Sequence, residues 1–200
     1  MKKILFATQQ YCEELFLLRK SAYENSENFK ILELNFLKVD LDRELPLIVL
    51  NENNEIISSV SLSVFNSFDD IGIANDILDF SMNFPAINIS KSVTNYNVQR
   101  SGINSILRLQ VFKLIRNSNL KSITGIVYEG APRFKTMSSL GYKFFSIENT
   151  NPSVKIVSNK CFAILDIIRI DNAIKILSDQ LADRIDEYVW VDTLPDCFPS

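Results

Sequence analysis

The chain has 200 residues, of which 46% are apolar and 22% are charged, and its formal net charge is −3. This composition is typical of a globular protein with its own core, and it lacks the cationic excess that attracts nucleic acid or an anionic membrane surface. Nucleic acid is therefore excluded as an expected partner. The chain also contains no histidine, which excludes Ser-His and Cys-His nucleophile pairs and histidine-based metal sites.

The three cysteines, Cys12, Cys161 and Cys197, lie far apart and form no CxxC pair. This spacing predicts reduced thiols rather than disulfides or zinc ligands. No acidic loop of the kind that binds a hard cation is present, so we predict no metal. The apolar run that follows Lys2 and Lys3 is too short for a signal peptide or a membrane span, which predicts a cytoplasmic protein.

Hydrophobic periodicity predicts the elements in chain order. A strand, a helix and a β-hairpin come first, at Lys2 to Ala7, Glu14 to Ala22, and Leu45 to Leu50 with Glu55 to Phe65. A short helix, a strand and a long helix follow, at Ala74 to Phe80, Ala86 to Val93 and Ile103 to Arg116. The C-terminal part predicts a strand, a short helix and two strands, at Ser122 to Tyr128, Ala131 to Leu140, Tyr142 to Ile147 and Cys161 to Ile168.

Asp171 is positioned to cap a final helix, whose apolar stripe runs through Leu177 and Leu181 to Tyr188 before a tail that ends at Ser200. The whole order predicts an α/β (α+β) protein with a mixed, largely antiparallel central sheet flanked by helices. We expect one domain over residues 1–200, with a core at 2–168 and a C-terminal helix and tail at 170–200.

The second hairpin strand alternates three apolar residues with three serines, which predicts one packed face and one face open to solvent or substrate. The apolar residues are Val60, Leu62 and Val64, and the serines are Ser59, Ser61 and Ser63. The charged residues have ordinary structural interpretations. Arg19 is a packing or solvated-face residue of the first helix, and Asp40, Asp42 and Glu44 form a solvated turn. Arg108 lies outside the apolar stripe of the long helix, on its solvated side, and Arg133 is a surface charge of the short helix. The alternatives are an amine-binding or base cluster for the acidic turn, and a cofactor phosphate contact for Arg133.

The segment Val98 to Asn104 lies between a predicted strand and the long helix. It has the pattern of a tight basic turn at a helix N-terminus, where unpaired N–H groups and the helix dipole favour an anion. Gly102 would let the backbone approach a phosphate, because it has no Cβ. The turn therefore predicts a phosphate site formed by Gln99, Arg100, Ser101, Gly102, Ile103 and Asn104. The alternative is a simple helix cap with Ser101 at the N-cap position.

Gln99-Arg100-Ser101-Gly102-Ile103-Asn104 resembles the Q/R-x-x-G-x-G/A cofactor motif of the GCN5-related N-acetyltransferase (GNAT) superfamily, and Leu140-Gly141-Tyr142 is similar to its Leu-Gly-Phe element. The resemblance implies the acyl-CoA N-acyltransferase fold and an acyl-thioester donor, coenzyme A or an acyl carrier protein, bound on the turn. It also implies an acyl arm that runs along Ser90 to Thr94 beside Gly125 to Tyr128. Ser92, Val93 and Thr94 thereby join the expected cofactor-binding residues.

The implied activity is transfer of the acyl group to a small-molecule amine, and the sequence specifies no oligomeric state. Two positions depart from the superfamily pattern: Asn104 replaces Gly or Ala, and Met137 stands where a catalytic tyrosine is common. A thioether cannot donate a proton. Tyr128 is then the candidate proton donor to the leaving thiolate, with a half-buried structural tyrosine as the alternative. A catalytically silent binding or interaction module is the alternative function.

A narrower resemblance is to the N-acyl amino acid synthases and acyl-homoserine lactone synthases. The segment Leu18 to Tyr23 resembles their early Leu-Arg-x-x-x-Tyr pattern, and the acidic residues Asp40 and Asp42 precede the hairpin in a similar way. Ser61 stands about where the lactone synthases commonly have an arginine, which argues against homoserine-lactone chemistry.

Overall fold

The computed structural model describes residues 1–25, 29–31, 33–71, 82–99, 101–147, 154–156 and 159–190. Its strands are β1 (Lys2–Phe6), β2 (Phe29–Ile31), β3 (Leu45–Leu50), β4 (Ile56–Phe65), β5 (Ala86–Thr94), β6 (Ser122–Tyr128), β7 (Lys143–Ile147), β8 (Val154–Ile156), β9 (Lys160–Asp166) and β10 (Tyr188–Val189). Its α-helices are α1 (Cys12–Glu24), α2 (Ile103–Ile115), α3 (Pro132–Ser139) and α4 (Ile170–Gln180). No helix in these ranges is long and apolar enough to cross a membrane.

Eight strands form the main sheet in the spatial order β10-β1-β3-β4-β5-β6-β9-β7, and β2 pairs with β8 separately. The neighbours β1 and β10 are parallel, as are β5 and β6, and the other pairs are antiparallel. The structure thus confirms the predicted mixed, largely antiparallel sheet flanked by helices. Because side chains alternate along a strand, β3 turns Leu47 and Val49 to one face and Ile48 and Leu50 to the other.

The two faces are covered by different helices. Leu47 and Val49 pack in the large core that α2 and α4 complete, whereas Ile48 and Leu50 pack against Leu15 of α1. The predicted apolar stripe of α2 is largely buried, and so are Arg108, Leu109 and Gln110 outside it, because α2 contacts both the sheet and α4.

The C-terminal region differs from the prediction. The last helix ends at Gln180, and Tyr188, which the helical stripe included, lies in β10 parallel to β1. Asp171 is in the first turn of α4, but the N-cap residue is Arg169. Leu177 and Leu181 are buried as predicted, and the chain then leaves the helix because β1 offers an unpaired sheet edge. The predicted helix Ala74 to Phe80, Cys197 and the tail lie outside the described residues.

The strands β5 and β6 separate after a short paired region. They pair from Ala86 with Ser122 to Asn88 with Thr124, whereas β6 stays paired with β9 as far as Tyr128. A Cβ on Gly125 would lie 3.0 Å from the carbonyl oxygen of Ile89, so glycine permits the close approach of β5 there. Beyond this point the sheet contains an opening between Ser90 to Thr94 and Gly125 to Tyr128, where the resemblance places it.

A β-bulge lies on β5 at the start of this opening. Ser61 of β4 pairs with Ser90 and Ser59 with Val93, so Lys91 and Ser92 together face the single residue Val60. Lys91 has a φ of 44°, which is uncommon for a residue with a Cβ. The bulge turns Lys91 towards the α1 side of the sheet, where its Nζ lies 3.2 Å from Glu44 Oε1.

A buried ion pair attaches α1 to the sheet. The Nη1 and Nη2 atoms of Arg19 donate to the two carboxylate oxygens of Glu44 at 2.9 and 3.1 Å, and Nη2 also donates to Ser61 Oγ at 2.5 Å. Arg19 is 0% exposed and Glu44 is 7% exposed. The predicted solvated position of Glu44 is therefore wrong, and Arg19 is a packing residue, because each residue supplies the charge that lets the other be buried.

The predicted open face of serines on β4 is also wrong at its centre. Ser59 and Ser61 are both 0% exposed, because α1 and the side chain of Arg19 cover them. The alternation of apolar and polar side chains was correctly predicted. What the pattern could not show is that a helix carrying a buried arginine would pack against the polar face.

We expect Arg19→Met to lower the free energy of unfolding by about 3–5 kcal/mol, because it leaves a buried carboxylate without its main partner. Lys20→Met is the matched control on the same helix, since Lys20 forms only an exposed pair with Glu24 at 3.9 Å. The control should change stability by less than about 0.5 kcal/mol. Urea denaturation at neutral pH measures both variants, and equal effects would contradict the importance of the buried pair.

The same pair predicts a pH dependence. Burial raises the pKa of Glu44, but hydrogen bonds from Arg19 and the charges of Arg19 and Lys91 outweigh it, so the pKa lies below its ordinary 4.5. The pair's contribution to stability is therefore fully present above pH 4.5 and is lost as the pH falls through the lower folded-state value. Glu44→Gln should flatten this acid-side loss in urea titrations across that range. An unchanged slope would show that Glu44 does not cause it.

Candidate functional site

The turn before α2 sets the start of the helix at Gly102. Gly102 is the N-cap residue with a φ of 75°, and its carbonyl accepts from the amides of Ser105 and Ile106. The amides of Ile103 and Asn104, in the first turn, have no acceptor within the helix. Ser101 does not occupy the N-cap position as the alternative interpretation had it, because its hydroxyl donates to the carbonyl of Val98 at 2.5 Å.

The space beside Gly102 is used by a distant arginine. A Cβ on Gly102 would lie 3.2 Å from Arg184 Nη1 and 3.6 Å from Leu181 Cδ2. Arg184 Nη1 also donates to the carbonyl of Ser101. The absent Cβ of Gly102 thus makes room for Arg184, and the approach of a phosphate to the same backbone stays a prediction. Sequence analysis missed Arg184, because nothing in its local pattern relates it to a turn 83 residues earlier.

Asn104 connects the first turn of α2 to β5. Its Oδ1 accepts from Ser92 Oγ at 2.6 Å, and its Nδ2 donates to Thr94 Oγ1 at 3.1 Å. Thr94 Oγ1 is in turn 2.9 Å from Ser58 Oγ. The departure from Gly or Ala at position 104 therefore has a structural use, since one amide side chain holds the helix against the strand.

The other expected cofactor-binding residues lie around this junction. Val93 is only 4% exposed, and its carbonyl accepts from Ser58 Oγ at 2.8 Å. Gln99 is exposed at the end of the turn, and Arg100 lies outside the described residues. The structure thus brings Ser92, Val93, Thr94 and Gln99 next to Gly102, Ile103 and Asn104. Whether they bind a cofactor stays a prediction.

A groove of about 480 Å³ runs beside this junction. One wall comes from α1 and includes Leu17, which is 56% exposed. The opposite wall is the segment Thr94 to Asn97 with Gln99. The groove adjoins the end of β5 at Thr94, whose hydroxyl accepts from Asn104 in the first turn of α2.

Tyr128 lies half-buried on β6, at the end of the opening. Burial raises the pKa of Tyr128 to about 12; the nearby Tyr23 adds to the shift and Arg133 opposes it. A phenol with this pKa stays protonated at neutral pH, so it can donate a proton but cannot act as a base. Met137 is 2% exposed and packs in the core, so its side chain has a structural role.

The α1 side of the opening carries a cation and two aromatic rings. The Nζ of Lys91 lies 5.8 Å from the ring centroid of Phe36, and the rings of Tyr23 and Phe36 meet edge-on with centroids 6.4 Å apart. Burial lowers the pKa of Lys91, an effect that the carboxylate of Glu44 opposes. The acidic turn thus contributes Glu44 to this cluster, whereas Asp42 is exposed.

Two further arginines are placed differently from the prediction. Arg108 was expected on the solvated side of α2, but it is only 6% exposed. Arg133 was expected on the surface of α3, but it is half-buried and its Nη2 donates to the carbonyl of Ile126 at 2.9 Å. A sequence pattern assigns arginine to the solvated side by default, and only the packed structure shows a guanidinium with an internal acceptor.

Solved structures similar to this chain share its architecture at low sequence identity. BjaI, a CoA-dependent acyl-homoserine lactone synthase solved with MTA, has a TM-score of 0.65 and 14% identity, over 91% of this chain and 89% of that chain. An N-acetyltransferase from Staphylococcus aureus Mu50 has a TM-score of 0.60 and 16% identity, over 84% and 99%. The yncA protein of Salmonella typhimurium, solved with its cofactor acetyl-CoA, has a TM-score of 0.56 and 14% identity, over 84% and 94%.

No protein-family model matches the chain, and no curated protein sequence matches it. The fold is therefore established by the element order, the β5–β6 opening and the similarity to these solved structures together. On this evidence the chain has the fold of the GCN5-related N-acetyltransferases.

Proposed function

We propose that this chain is an acyltransferase that moves an acyl group from a coenzyme A thioester to a small-molecule amine. The observation that carries the proposal is the position of the β5–β6 opening, which ends beside the first turn of α2. The similarity to BjaI and to acetyltransferases supports it. An acyl carrier protein is the alternative carrier of the same thioester. We further propose that residues 1–200 form one acyltransferase domain.

The residues around the opening fit an anionic, extended donor. The amides of Ile103 and Asn104 and the guanidinium of Arg184 can hold phosphate oxygens, since all three offer N–H groups at one place. The acyl arm would lie against β5 between Ser90 and Thr94, where the strand has no neighbour on the β6 side. The bound thioester supplies an activated carbonyl. Backbone N–H groups of the bulged strand are the candidates for stabilising negative charge on its oxygen.

Tyr128 is the proposed proton donor to the departing thiolate. It lies at the end of the opening, and its raised pKa keeps it protonated. No side chain from position 137 can replace it, because Met137 has no acidic proton. The acceptor amine would attack the thioester carbonyl directly and lose its surplus proton to solvent, and Tyr128 would regain a proton from solvent after the thiol leaves.

Acetyl-CoA or a longer acyl-CoA should raise the melting temperature, because a ligand that binds only the native state stabilises it by about 2.7 kcal/mol at 100 times its Kd. Arg184→Ala should weaken binding by about three- to tenfold, since it removes one partly exposed charge from the turn. Lys175→Ala, an exposed change on α4, is the control and should bind like the wild type. The absence of any rise with several chain lengths would overturn the proposal.

A catalytically silent binding module is the second candidate, and the core methionine at position 137 is the observation that favours it. The two functions differ in thiol release. An acyltransferase releases coenzyme A when a suitable amine is present, whereas a silent module binds acyl-CoA without release. A free-thiol assay with a panel of small amines separates them.

Tyr128→Phe should lower kcat by about 10²-fold, the usual contribution of a positioned general acid. It should leave the melting-temperature rise with acyl-CoA unchanged, because the ring remains. In the wild type, deprotonation of this group should cause no loss of rate below about pH 10, since its pKa is about 12. Tyr188→Phe is the control on a remote strand. Full activity in Tyr128→Phe would assign proton donation to water.

A further inference from the structure

Two arginines and a tyrosine lie together beside the opening, and the proposed transfer gives them no role. Arg108 of α2 donates from Nη1 to the hydroxyl of Tyr142 at 3.1 Å, and its Cζ lies 5.8 Å from the centroid of the same ring. Arg133 of α3 interacts electrostatically with Arg108 and Tyr142. Arg108 is 6% exposed and Tyr142 is 6% exposed, so both are enclosed by protein.

The hydrogen bond from Arg133 places its guanidinium in the opening. The backbone N–H of Glu129 donates to the carbonyl of Asn159, the residue before β9, so position 129 points to the β9 side. Because backbone groups alternate between the two edges of a strand, the carbonyl of Ile126 points to the other edge. Ile126 lies beyond Thr124, where β5 has already separated, so this edge carries no strand. Arg133 therefore donates to a carbonyl that the divergence of the sheet has left without a backbone partner.

The charges around the opening are not balanced. Neither Arg108 nor Arg133 has a carboxylate partner among the described residues, whereas Arg19 in the same protein is paired with Glu44. Burial and repulsion by Arg108 lower the pKa of Arg133 to about 10. Tyr23, Tyr128 and Tyr142 partly oppose this shift. Arg19 and Lys91 share the carboxylate of Glu44, so Arg108 and Arg133 add two positive charges that no carboxylate of the described residues pairs with. This excess occurs in a chain whose net charge is −3.

Two neighbouring guanidinium groups without an acid are costly inside a protein, and an apolar acyl chain placed against them would not relieve that cost. A carboxylate would relieve it, because its two oxygens match the fork of a guanidinium. Among the described residues, Arg108 and Arg133 each donate one side-chain hydrogen bond, so most of their N–H groups are available for such an anion.

We propose that Arg108 and Arg133, with the hydroxyl of Tyr142, form a subsite for the carboxylate of a substrate at the inner end of the β5–β6 opening. This inference rests on the proposed function and narrows it, since one of the two substrates then carries a carboxylate. That substrate is either an acyl-thioester with a distal carboxylate or an amine acceptor that is an amino acid.

Binding of a small dicarboxylate tests the subsite without any transfer reaction. At about 50 mM, sodium succinate should raise the melting temperature by about 2 °C or more above sodium chloride at equal ionic strength. Arg133→Met should lose this rise, and Lys135→Met, an exposed change on the same helix, should keep it. Arg184→Ala should also keep it, which separates the subsite from the turn before α2. Tyr142→Phe should reduce the rise and serves as a second variant that removes only a hydroxyl.

Transfer rates then identify which substrate carries the carboxylate. With one amine, kcat/KM is compared for succinyl-CoA and butyryl-CoA, whose acyl groups are equal in length. With one acyl-CoA, it is compared for glycine and glycinamide. The substrate that carries the carboxylate is identified by the pair in which kcat/KM is about tenfold or more higher for the carboxylate compound. Arg133→Met should remove this preference and keep kcat/KM for the uncharged compound within about twofold of the wild type.

The two proposals fail in different ways. A missing melting-temperature rise with acyl-CoA overturns the proposed function, whatever succinate does. If succinate stabilises the wild type no more than chloride does, or stabilises Arg133→Met equally, the carboxylate subsite is overturned even where acyl transfer is observed. Where no acyl transfer occurs, the melting-temperature rise with succinate is by itself the test of the carboxylate subsite.

Discussion

The separation of β5 from β6 is the constraint on which the rest of this structure depends. In a continuous sheet every inner backbone group has a partner, and polar groups that lose theirs away from water are costly. Past Asn88 and Thr124 the facing edges of the two strands have no such partner. The protein satisfies one carbonyl, that of Ile126, with Arg133. The remaining edge is suited to an extended ligand that carries its own amides, which links the topology directly to the proposed donor.

Two groups of hydrogen bonds, each involving a serine of β4, attach α1 and α2 to the two faces of the sheet next to the opening. On one face Ser61 accepts a hydrogen bond from Arg19, which fixes α1. On the other face Ser58 and Thr94 meet the Asn104 network, which fixes α2. The serine-rich composition of β4 is therefore structural on both faces. Because each attachment is hydrogen-bonded and largely buried, we expect both walls of the opening to be rigid before any ligand binds.

Charge is concentrated where the strands separate, although the protein as a whole is acidic. Arg19 and Lys91 share Glu44 on the α1 side, and Arg108 and Arg133 lie towards the α2 and α3 side without an acid among the described residues. At the far end of the same opening, Arg184 contacts the turn before α2. Such a distribution raises the local concentration of anionic substrates without making the surface generally cationic.

Local periodicity in the sequence determined most elements up to β9 and the mixed sheet, because each longer strand or helix shows its buried face within a few residues. It did not determine the three-residue strands β2 and β8. The resemblance carried by Gln99 to Asn104 and by Leu140 to Tyr142 implied where the opening lies. The sequence could not determine which polar residues are buried. Arg19 meets Glu44 at a separation of 25 residues and Ser61 at 42, and Arg184 meets the turn 83 residues away. Only tertiary packing brings such groups together, since a charge is buried when a distant partner offsets its desolvation, and no local pattern records that partner.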